Sequence, residues 1–255
     1  MLDVAGLVRV LLSLPDVELR LAWLRELLTR LPPHRAAPLL DALCEESERL
    51  DPGAREAVLA LAVLMVGLGE CEVLDRLREE VAGRRLLSLD RMLRRAPPGS
   101  PQQRPQEPPV PDYGTGRELT VGERRSLARR PHRRSFEKLL NDPHPLVIRQ
   151  LLQNPKLTED DVVRLVAHRP ARREALAEIA QLPRWLSRPR VRLALLLNPG
   201  TPQHIAVPML CACTRGELRE VLLSADTALL LRATARELLV RRPPIGVDRA
   251  GATVH

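Results

Sequence analysis

Two stretches of the 255-residue chain, VIRQLLQNPKLTEDDVV at 147–163 and VRLALLLNPGTPQHIAV at 191–207, decide the fold because they repeat the same pattern. Each is an apolar run that ends at an Asn-Pro pair and is followed by a threonine. Aligning Asn154 on Asn198 gives a period of 44 residues. A period of this length is typical of helical units that stack in tandem. The sequence therefore predicts an array of repeated helical units.

The alignment also predicts core positions and a third copy. Leu151 coincides with Leu195, so both leucines are expected at the same buried position in neighbouring units. Another step of 44 residues leads from Pro199 to Pro243, where Arg242 replaces the asparagine. A third, degenerate copy is therefore expected to end the array.

Each copy is predicted to contain three short helices. The first begins at Thr120, Thr158 or Thr201, because a threonine hydroxyl can accept a free backbone N–H of the first turn. The second carries apolar residues at spacings of three and four, which form one buried stripe. These stripes comprise Phe136, Leu139 and Leu140, then Leu176, Ile179 and Ala180, and finally Leu218, Val221 and Leu222. A single unit cannot bury its stripe alone, so neighbouring units are expected to stack.

The stretch NDPHPLVIRQLLQNPKLTEDDVVRLVAHRP at 141–170 resembles the leucine-rich repeat variant family, whose copies also contain a helix, an Asn-Pro break, a threonine-capped helix and a following proline. Residues 119–243 as a whole resemble HEAT-like and armadillo-like repeats. The resemblance implies a short right-handed α-solenoid of three HEAT-like repeats. It implies a structure rather than a chemistry, and the chain has no cysteine cluster of the kind that could hold an iron–sulfur centre.

The composition and the first 95 residues also favour an all-α fold. Hydrophobic residues make up 44% of the chain, yet aromatic residues make up only 2%, so packing depends on Leu, Val and Ala. Proline and glycine separate segments of helical length within 1–95, which predicts an N-terminal bundle of six helices. EAVLALAVLMVGLG at 56–69 is apolar nearly all round and is predicted to be the central helix of this bundle.

A proline-rich linker is predicted at 96–118, between the N-terminal bundle at 1–95 and the repeats at 119–243. The seven prolines of this segment favour an extended, semi-rigid chain. The first 95 residues carry 14 Arg against 16 acidic residues, whereas the remainder carries 26 basic against 16 acidic residues. The linker and the charge contrast predict two independent halves, and residues 244–255 are expected to form a disordered tail.

The strongest candidate binding residues are arginines of the first repeat. The run ERRSLARRPHRRSFEK at 123–138 brings six arginines within eleven residues that contain no acid. Their forked guanidinium groups suit carboxylate or phosphate partners. The candidate set comprises these six and two arginines of the third helices, namely Arg124, Arg125, Arg129, Arg130, Arg133, Arg134, Arg149 and Arg192. The alternative is that the run forms a solvated polar cap on the array.

Three other groupings have simpler structural explanations. Trp185 among four arginines could stack on a base of single-stranded nucleic acid, but its place after a proline favours a wedge between repeats. The acids at 159–161 belong to the first turn of a helix, where they oppose the helix dipole. Cys211, Cys213 and His204 fall short of the four ligands of a zinc site.

The sequence favours a protein that binds rather than catalyses. It has no P-loop and no recognisable nucleophile motif, so no catalytic, cofactor-binding or metal-binding residue and no small-molecule substrate is predicted. No apolar run is long enough to span a bilayer, and the four cysteines are too few for a disulfide framework, so a cytoplasmic location without membrane contact is expected. The prediction is a non-enzymatic adaptor or regulator whose partner is another protein with an acidic surface. The alternative is a nucleic-acid-binding protein with HEAT-like repeats.

Overall fold

The structure, a computed structural model, describes residues 2–95, 109–169 and 173–242, apart from the side chains of residues 133 and 134. Within these ranges the chain forms sixteen α-helices and no β-strand, which confirms the all-α prediction. None of the described helices combines the length and the apolar character needed to cross a bilayer. Most of the predicted linker and the whole predicted tail at 244–255 lie outside the described residues, whereas residues 109–118 are described and form no helix.

The N-terminal segment folds into six helices, as predicted. They are α1 (Val4–Ser13), α2 (Val17–Arg30), α3 (Pro33–Glu48), α4 (Pro52–Leu68), α5 (Glu72–Arg84) and α6 (Leu87–Leu93). Helix α4 packs against α1, α2 and α3, and every residue from Ala60 to Val66 is buried. A helix that is apolar on all sides is stable only where neighbours surround it. The prediction that this segment is the central helix is therefore confirmed.

The C-terminal segment follows the predicted order of three helices in each copy. The helices are α7 (Val121–Arg129), α8 (Arg133–Leu140), α9 (Pro145–Leu152), α10 (Glu159–Ala167), α11 (Arg173–Ala180), α12 (Pro183–Leu186), α13 (Pro189–Leu197), α14 (Gln203–Cys211), α15 (Arg215–Leu223) and α16 (Leu229–Arg241). The second copy contains one additional short helix, α12. Helices of neighbouring copies contact each other, since α9 packs against α11 and α13 packs against α14 and α15. That the array has the geometry of a HEAT-like solenoid stays a prediction.

The asparagines that define the 44-residue period perform the same structural task in two copies. The Asn154 side-chain amide donates a hydrogen bond of 3.4 Å to the carbonyl of Arg129, at the end of α7. The Asn198 amide donates to the carbonyl of Val166, near the end of α10. The side-chain oxygen of each asparagine also accepts the backbone N–H two residues later, at 2.8 and 2.9 Å. Each asparagine thus satisfies a carbonyl that the first helix of its copy leaves without an intrahelical partner.

Arg242, which replaces the asparagine in the third copy, takes over this task. Its buried guanidinium donates to the carbonyl of Cys211 at 2.7 Å and to the carbonyl of Cys213. Cys211 is the last residue of α14, the first helix of the third copy. The longer side chain therefore reaches the same kind of acceptor that an asparagine reaches in the other two copies. This equivalence supports the register that the sequence predicts for the third copy.

Two of the three predicted threonine N-caps are confirmed. Thr120 and Thr158 each form a capping box with the acidic residue three positions later. The prediction for Thr201 is wrong, because its hydroxyl donates at 2.6 Å to the carbonyl of Leu195 in the preceding helix. Helix α14 begins at Gln203 without a side-chain cap. The hydroxyl therefore supports the end of one helix rather than the start of the next.

Helix α14 joins the two halves that the sequence predicted to be independent. Every residue from Ile205 to Cys211 is buried, and α14 packs against α4 and α6 of the N-terminal bundle as well as α13 and α16. Two ion pairs cross the same boundary, Arg94 with Glu237 at 2.9 Å and Arg241 with Glu48 at 2.7 Å. The structure thus differs from the expectation of independent halves, because the apolar surface of α14 is too large for the repeats alone to cover.

Cleavage of the chain between residues 96 and 108 is expected to leave the two halves associated, because α4, α6 and α14 share a buried apolar contact. The measurement is size-exclusion chromatography in native buffer of a chain cut at a protease site inserted in this segment. The same sample in denaturant is the control, and it should yield two fragments. Separation of the fragments in native buffer would contradict the shared core.

Candidate functional site

Arg124, the first of the candidate binding residues, is buried inside the array. Its Nη1 atom lies 2.6 Å from both carboxylate oxygens of Asp142, whose side chain has no exposed surface. The Tyr113 hydroxyl donates to the same carboxylate at 2.7 Å. Burial and this hydrogen bond raise the pKa of Tyr113 far above its usual range, so the hydroxyl remains a donor. The expectation of an exposed Arg124 is therefore corrected, because its guanidinium is buried and compensates a buried carboxylate, which also accepts the Tyr113 hydrogen bond from the segment 109–118.

Arg192 is a second candidate that the structure places in the interior. Its side chain is buried, and Nη1 donates at 2.8 Å to the carbonyl of Ser187, the residue that ends α12. Helix ends leave carbonyls without partners, and a buried guanidinium satisfies this one. The prediction that Arg192 contacts a partner is therefore wrong as well.

Arg149 is exposed, but a neighbouring helix already compensates its charge. Nε and Nη2 of its guanidinium lie 2.6 and 2.8 Å from the two carboxylate oxygens of Glu178 on α11. The hydrogen bond and the charge of Glu178 raise the pKa of Arg149. This two-point pair links the first copy to the second, so a partner would have to displace Glu178 before it could use Arg149.

The remaining arginines of the first repeat form a smaller basic edge than the sequence predicted. Arg129 and Arg130 are exposed, Arg125 is half-buried, and Nε of Arg129 lies 3.4 Å from the side-chain oxygen of Gln150. The side chains of Arg133 and Arg134 lie outside the described residues. The name basic edge is kept below for Arg125, Arg129 and Arg130. This edge is compatible with either a solvated cap or a weak contact surface.

Trp185 is a wedge, as predicted. The ring is buried, and its indole N–H donates at 3.2 Å to the carbonyl of Leu152 at the end of α9. The guanidinium carbons of Arg184 and Arg188 lie 4.7 and 5.6 Å from the ring centre. A ring in this position cannot stack on a base, so the observation removes the main argument for single-stranded nucleic acid binding at this site.

The acids at 159–161 also have structural roles. Glu159 and Asp160 pair with Arg188 and Arg190 of the α12–α13 region, and Asp161 completes the capping box of Thr158. These contacts hold α10 against the helices that follow it. They account for all three acids without a catalytic role.

The thiols at 211 and 213 are protonated side chains of the core. Burial raises the pKa of Cys211 and of Cys213 to about 12. A metal ligand has to be a thiolate, which this environment disfavours. Both cysteines therefore behave as small apolar residues, while His204 lies on the surface.

The most unusual surface lies at the other end of the array, on the last two described helices. Leu223, Leu229 and Val240 are 83%, 74% and 81% exposed, whereas no other large apolar side chain of the described residues exceeds 55%. Leu223 ends α15, and the other two belong to α16. Single exposed apolar residues are common on protein surfaces, but two of these three, Leu229 and Val240, line the same groove, which makes this surface a candidate interaction site.

Leu229 and Val240 border an open groove of about 710 Å³ along α16, next to Leu222 of α15 and Arg91 of α6, which we name the terminal groove. Its apolar lining includes Leu222, Leu229, Ala233 and Val240, and its cationic lining includes Arg232, Arg236 and Arg241. In α16 the positions 229, 232, 233, 236 and 240 recur at helical spacing and form one stripe. The terminal groove is thus an apolar stripe interrupted by arginines.

The terminal groove is open because no further helix of the described chain covers this side of α16. The opposite side of α16 carries the buried residues Leu231, Ala235 and Leu238 and packs against α14 and α15. Terminal units of helical arrays usually present a polar outer face, since nothing stacks on them. Exposed leucine and valine at this position depart from that rule.

The acids beside the terminal groove are already compensated by other cations. Glu237 pairs with Arg94, and Glu48 pairs with both Arg91 and Arg241. Arg232 differs, because it lines the groove and forms no ion pair with an acid of the described residues. Arg236 is exposed one turn further along the same side. The groove therefore offers two adjacent cations to a bound molecule.

Neither models of protein families, nor curated protein sequences, nor solved structures contain a match to this chain. The resemblance to leucine-rich repeat variant and HEAT-like repeats stays a prediction. The residues of the terminal groove were not predicted from the sequence, because the candidate binding residues were runs of arginine rather than apolar side chains. The 44-residue period places Val240 at the position of Leu152 and Leu196, which are buried, whereas Val240 is 81% exposed, so the repeat alignment predicted the opposite of what the structure shows at this position.

Proposed function

We propose that this protein is a non-enzymatic adaptor, and that it binds another protein at the terminal groove. One observation carries the proposal, namely that the apolar cluster lining the terminal groove, Leu222, Leu229, Ala233 and Val240, includes two of the three most exposed large apolar side chains of the described residues. Burying one leucine or valine side chain contributes about 1.5–3 kcal/mol, so a partner that covers this cluster gains a useful share of its binding energy there. An apolar cluster of this kind fits a protein surface better than a phosphate backbone.

The charge distribution supports a protein partner over nucleic acid. Nucleic-acid binding depends on several cations that neutralise phosphates together. Of the eight arginines that the sequence nominated, Arg124 and Arg192 are buried and Arg149 is paired with Glu178. The basic edge of Arg125, Arg129 and Arg130 lies on the first copy, far along the chain from the apolar cluster of the third copy.

The proposal predicts a protein contact that is specific to the terminal groove. A photo-crosslinking amino acid at Ala233, which lines the groove, is expected to form an adduct with another protein in an extract of the cells that express this chain. The same amino acid at Leu19, an exposed position on α2, is the matched control. The adduct at position 233 should disappear when Leu229→Ser and Val240→Ser are added, because these changes remove the apolar surface.

Two results would contradict the proposal that the protein is an adaptor. Equal adducts at positions 233 and 19 would mean that the groove has no particular affinity for protein. An adduct that nuclease removes and protease leaves intact would identify nucleic acid as the partner. In that case binding should also weaken steeply when salt rises above about 150 mM, as counterion release requires.

A further inference from the structure

We infer that the terminal groove takes an amphipathic helix whose apolar stripe is interrupted by two carboxylates. This inference rests on the proposed function and adds the chemistry of the bound segment. Leu229 and Val240 lie eleven residues apart on α16, which corresponds to about 16 Å or three helical turns. A partner helix of similar length can place apolar anchors against both ends of the stripe, which is a recurring way of filling a groove between two helices.

The two arginines between these apolar ends define the charge of the bound helix. Arg232 and Arg236 are four residues apart and therefore lie on the same side of α16. Both arginines line the groove, and neither forms an ion pair with an acid among the described residues. Glu237 and Glu48, the acids next to the groove, are engaged with Arg94, Arg91 and Arg241. The accessible guanidinium groups of these two arginines are therefore complementary to acids of the bound molecule, and carboxylates fit guanidinium groups best.

The order of residues along α16 gives the partner helix a pattern. Leu229 is followed after three residues by Arg232, then after four by Arg236, and after four more by Val240. A complementary helix carries an apolar residue, two acids spaced by four, and a second apolar residue in the same order or in reverse. A second copy of this chain does not fit this pattern, because a symmetric pair of α16 helices would bring the arginines of one copy toward those of the other.

The test uses the full chain and a synthetic helical peptide of about 16 residues, a length that covers the stripe. The peptide carries leucines and glutamates in the complementary pattern on an alanine background, and fluorescence anisotropy measures its affinity at about 150 mM salt. Replacing both glutamates by lysine is expected to weaken binding at least about tenfold, because attraction becomes repulsion. Replacing both leucines by serine should weaken it by a similar factor.

The decisive measurement reverses the charge on the protein and compares the two peptides. Arg236→Glu is expected to weaken binding of the glutamate peptide and to strengthen binding of the lysine peptide, whereas Arg129→Glu on the basic edge should change neither affinity. Such a reversal cannot arise from loss of folding. Unchanged affinity of the glutamate peptide for Arg236→Glu would overturn the inference, and so would equal binding of the two peptides by the unaltered chain.

The crosslinker at Ala233 separates this failure from failure of the proposed function. If position 233 still forms its protein adduct but the peptides do not show the expected differences in affinity, the proposal of a protein-binding adaptor is supported. The inference that the groove takes an acidic helix is then wrong. An adduct that joins position 233 to residues 243–255 of the same chain, or to a second copy, would overturn the acidic helix by identifying a different occupant. Mass spectrometry of the adduct distinguishes these outcomes.

Discussion

Shortening Leu151 or Leu195 to alanine is expected to lower the free energy of unfolding by about 2–5 kcal/mol in either variant. The two leucines occupy the same position of the 44-residue period, in α9 and α13, and both are fully buried. Each change deletes apolar surface and leaves a cavity that packed neighbours fill only in part. Urea denaturation followed by circular dichroism measures the loss.

Leu146→Ala is the matched control, because Leu146 belongs to the same helix α9 but is 37% exposed. Its effect should stay below about 1 kcal/mol, as expected for a partly exposed residue. If Leu151→Ala and Leu146→Ala have equal effects, Leu151 is not a core residue. If Leu151→Ala and Leu195→Ala differ by several-fold, the two positions are not equivalent and the repeat register is wrong.

The sequence predicted those features that depend on local spacing. Residues three and four apart share a helix face, so the stripes of α8, α11 and α15 could be identified before any neighbour was known. Capping boxes depend on a four-residue pattern, and the sequence prediction found two of them. The box of Thr214 with Glu217 at the start of α15 obeys the same pattern and could have been found. Thr201 was the exception, since a carbonyl six residues earlier takes its hydroxyl.

The shared core could not be predicted because it pairs segments that are distant in sequence. Helices α4 and α14 are both apolar on nearly every side, and this property alone predicts that each is surrounded by other helices. It does not say which helices surround them. Each was assigned to its own half because the proline-rich segment separates them in the chain. In the structure these two apolar helices pack against each other.

The two ends of the array differ in a way that charge patterns do not reveal. Arg124 belongs to a run of arginines that suggests an exposed surface. It is nevertheless buried, because it forms an ion pair with Asp142, eighteen residues later in the chain. Leu229 and Val240 belong to an apolar helix that suggests a buried position, yet no described helix covers their side. In both cases the outcome depends on a tertiary neighbour that is either present or absent. Local sequence patterns carry no information on that neighbour.

Replacing Arg124 by methionine is expected to destabilise the protein by about 3–5 kcal/mol, which is a large share of the stability of an ordinary domain. Methionine keeps much of the volume of the side chain but withdraws the positive charge that lies 2.6 Å from both carboxylate oxygens of Asp142. That carboxylate has no exposed surface, so water cannot replace the guanidinium. The hydrogen bonds that the Tyr113 hydroxyl and the His144 backbone N–H donate to it compensate a full charge less well than the guanidinium does. Urea denaturation of the full chain measures the change.

Arg130→Met is the control for the loss of an arginine from the same run, because Arg130 is exposed and its replacement should cost less than about 0.5 kcal/mol. A second variant tests the cause. Arg124→Met combined with Asp142→Leu removes both charges, and it should recover most of the stability that the single change loses, since an apolar pair can replace a buried ion pair. If Arg124→Met is no more harmful than Arg130→Met, the guanidinium does not compensate the carboxylate. Arg124 would then again be a candidate contact residue, in addition to the three arginines of the basic edge.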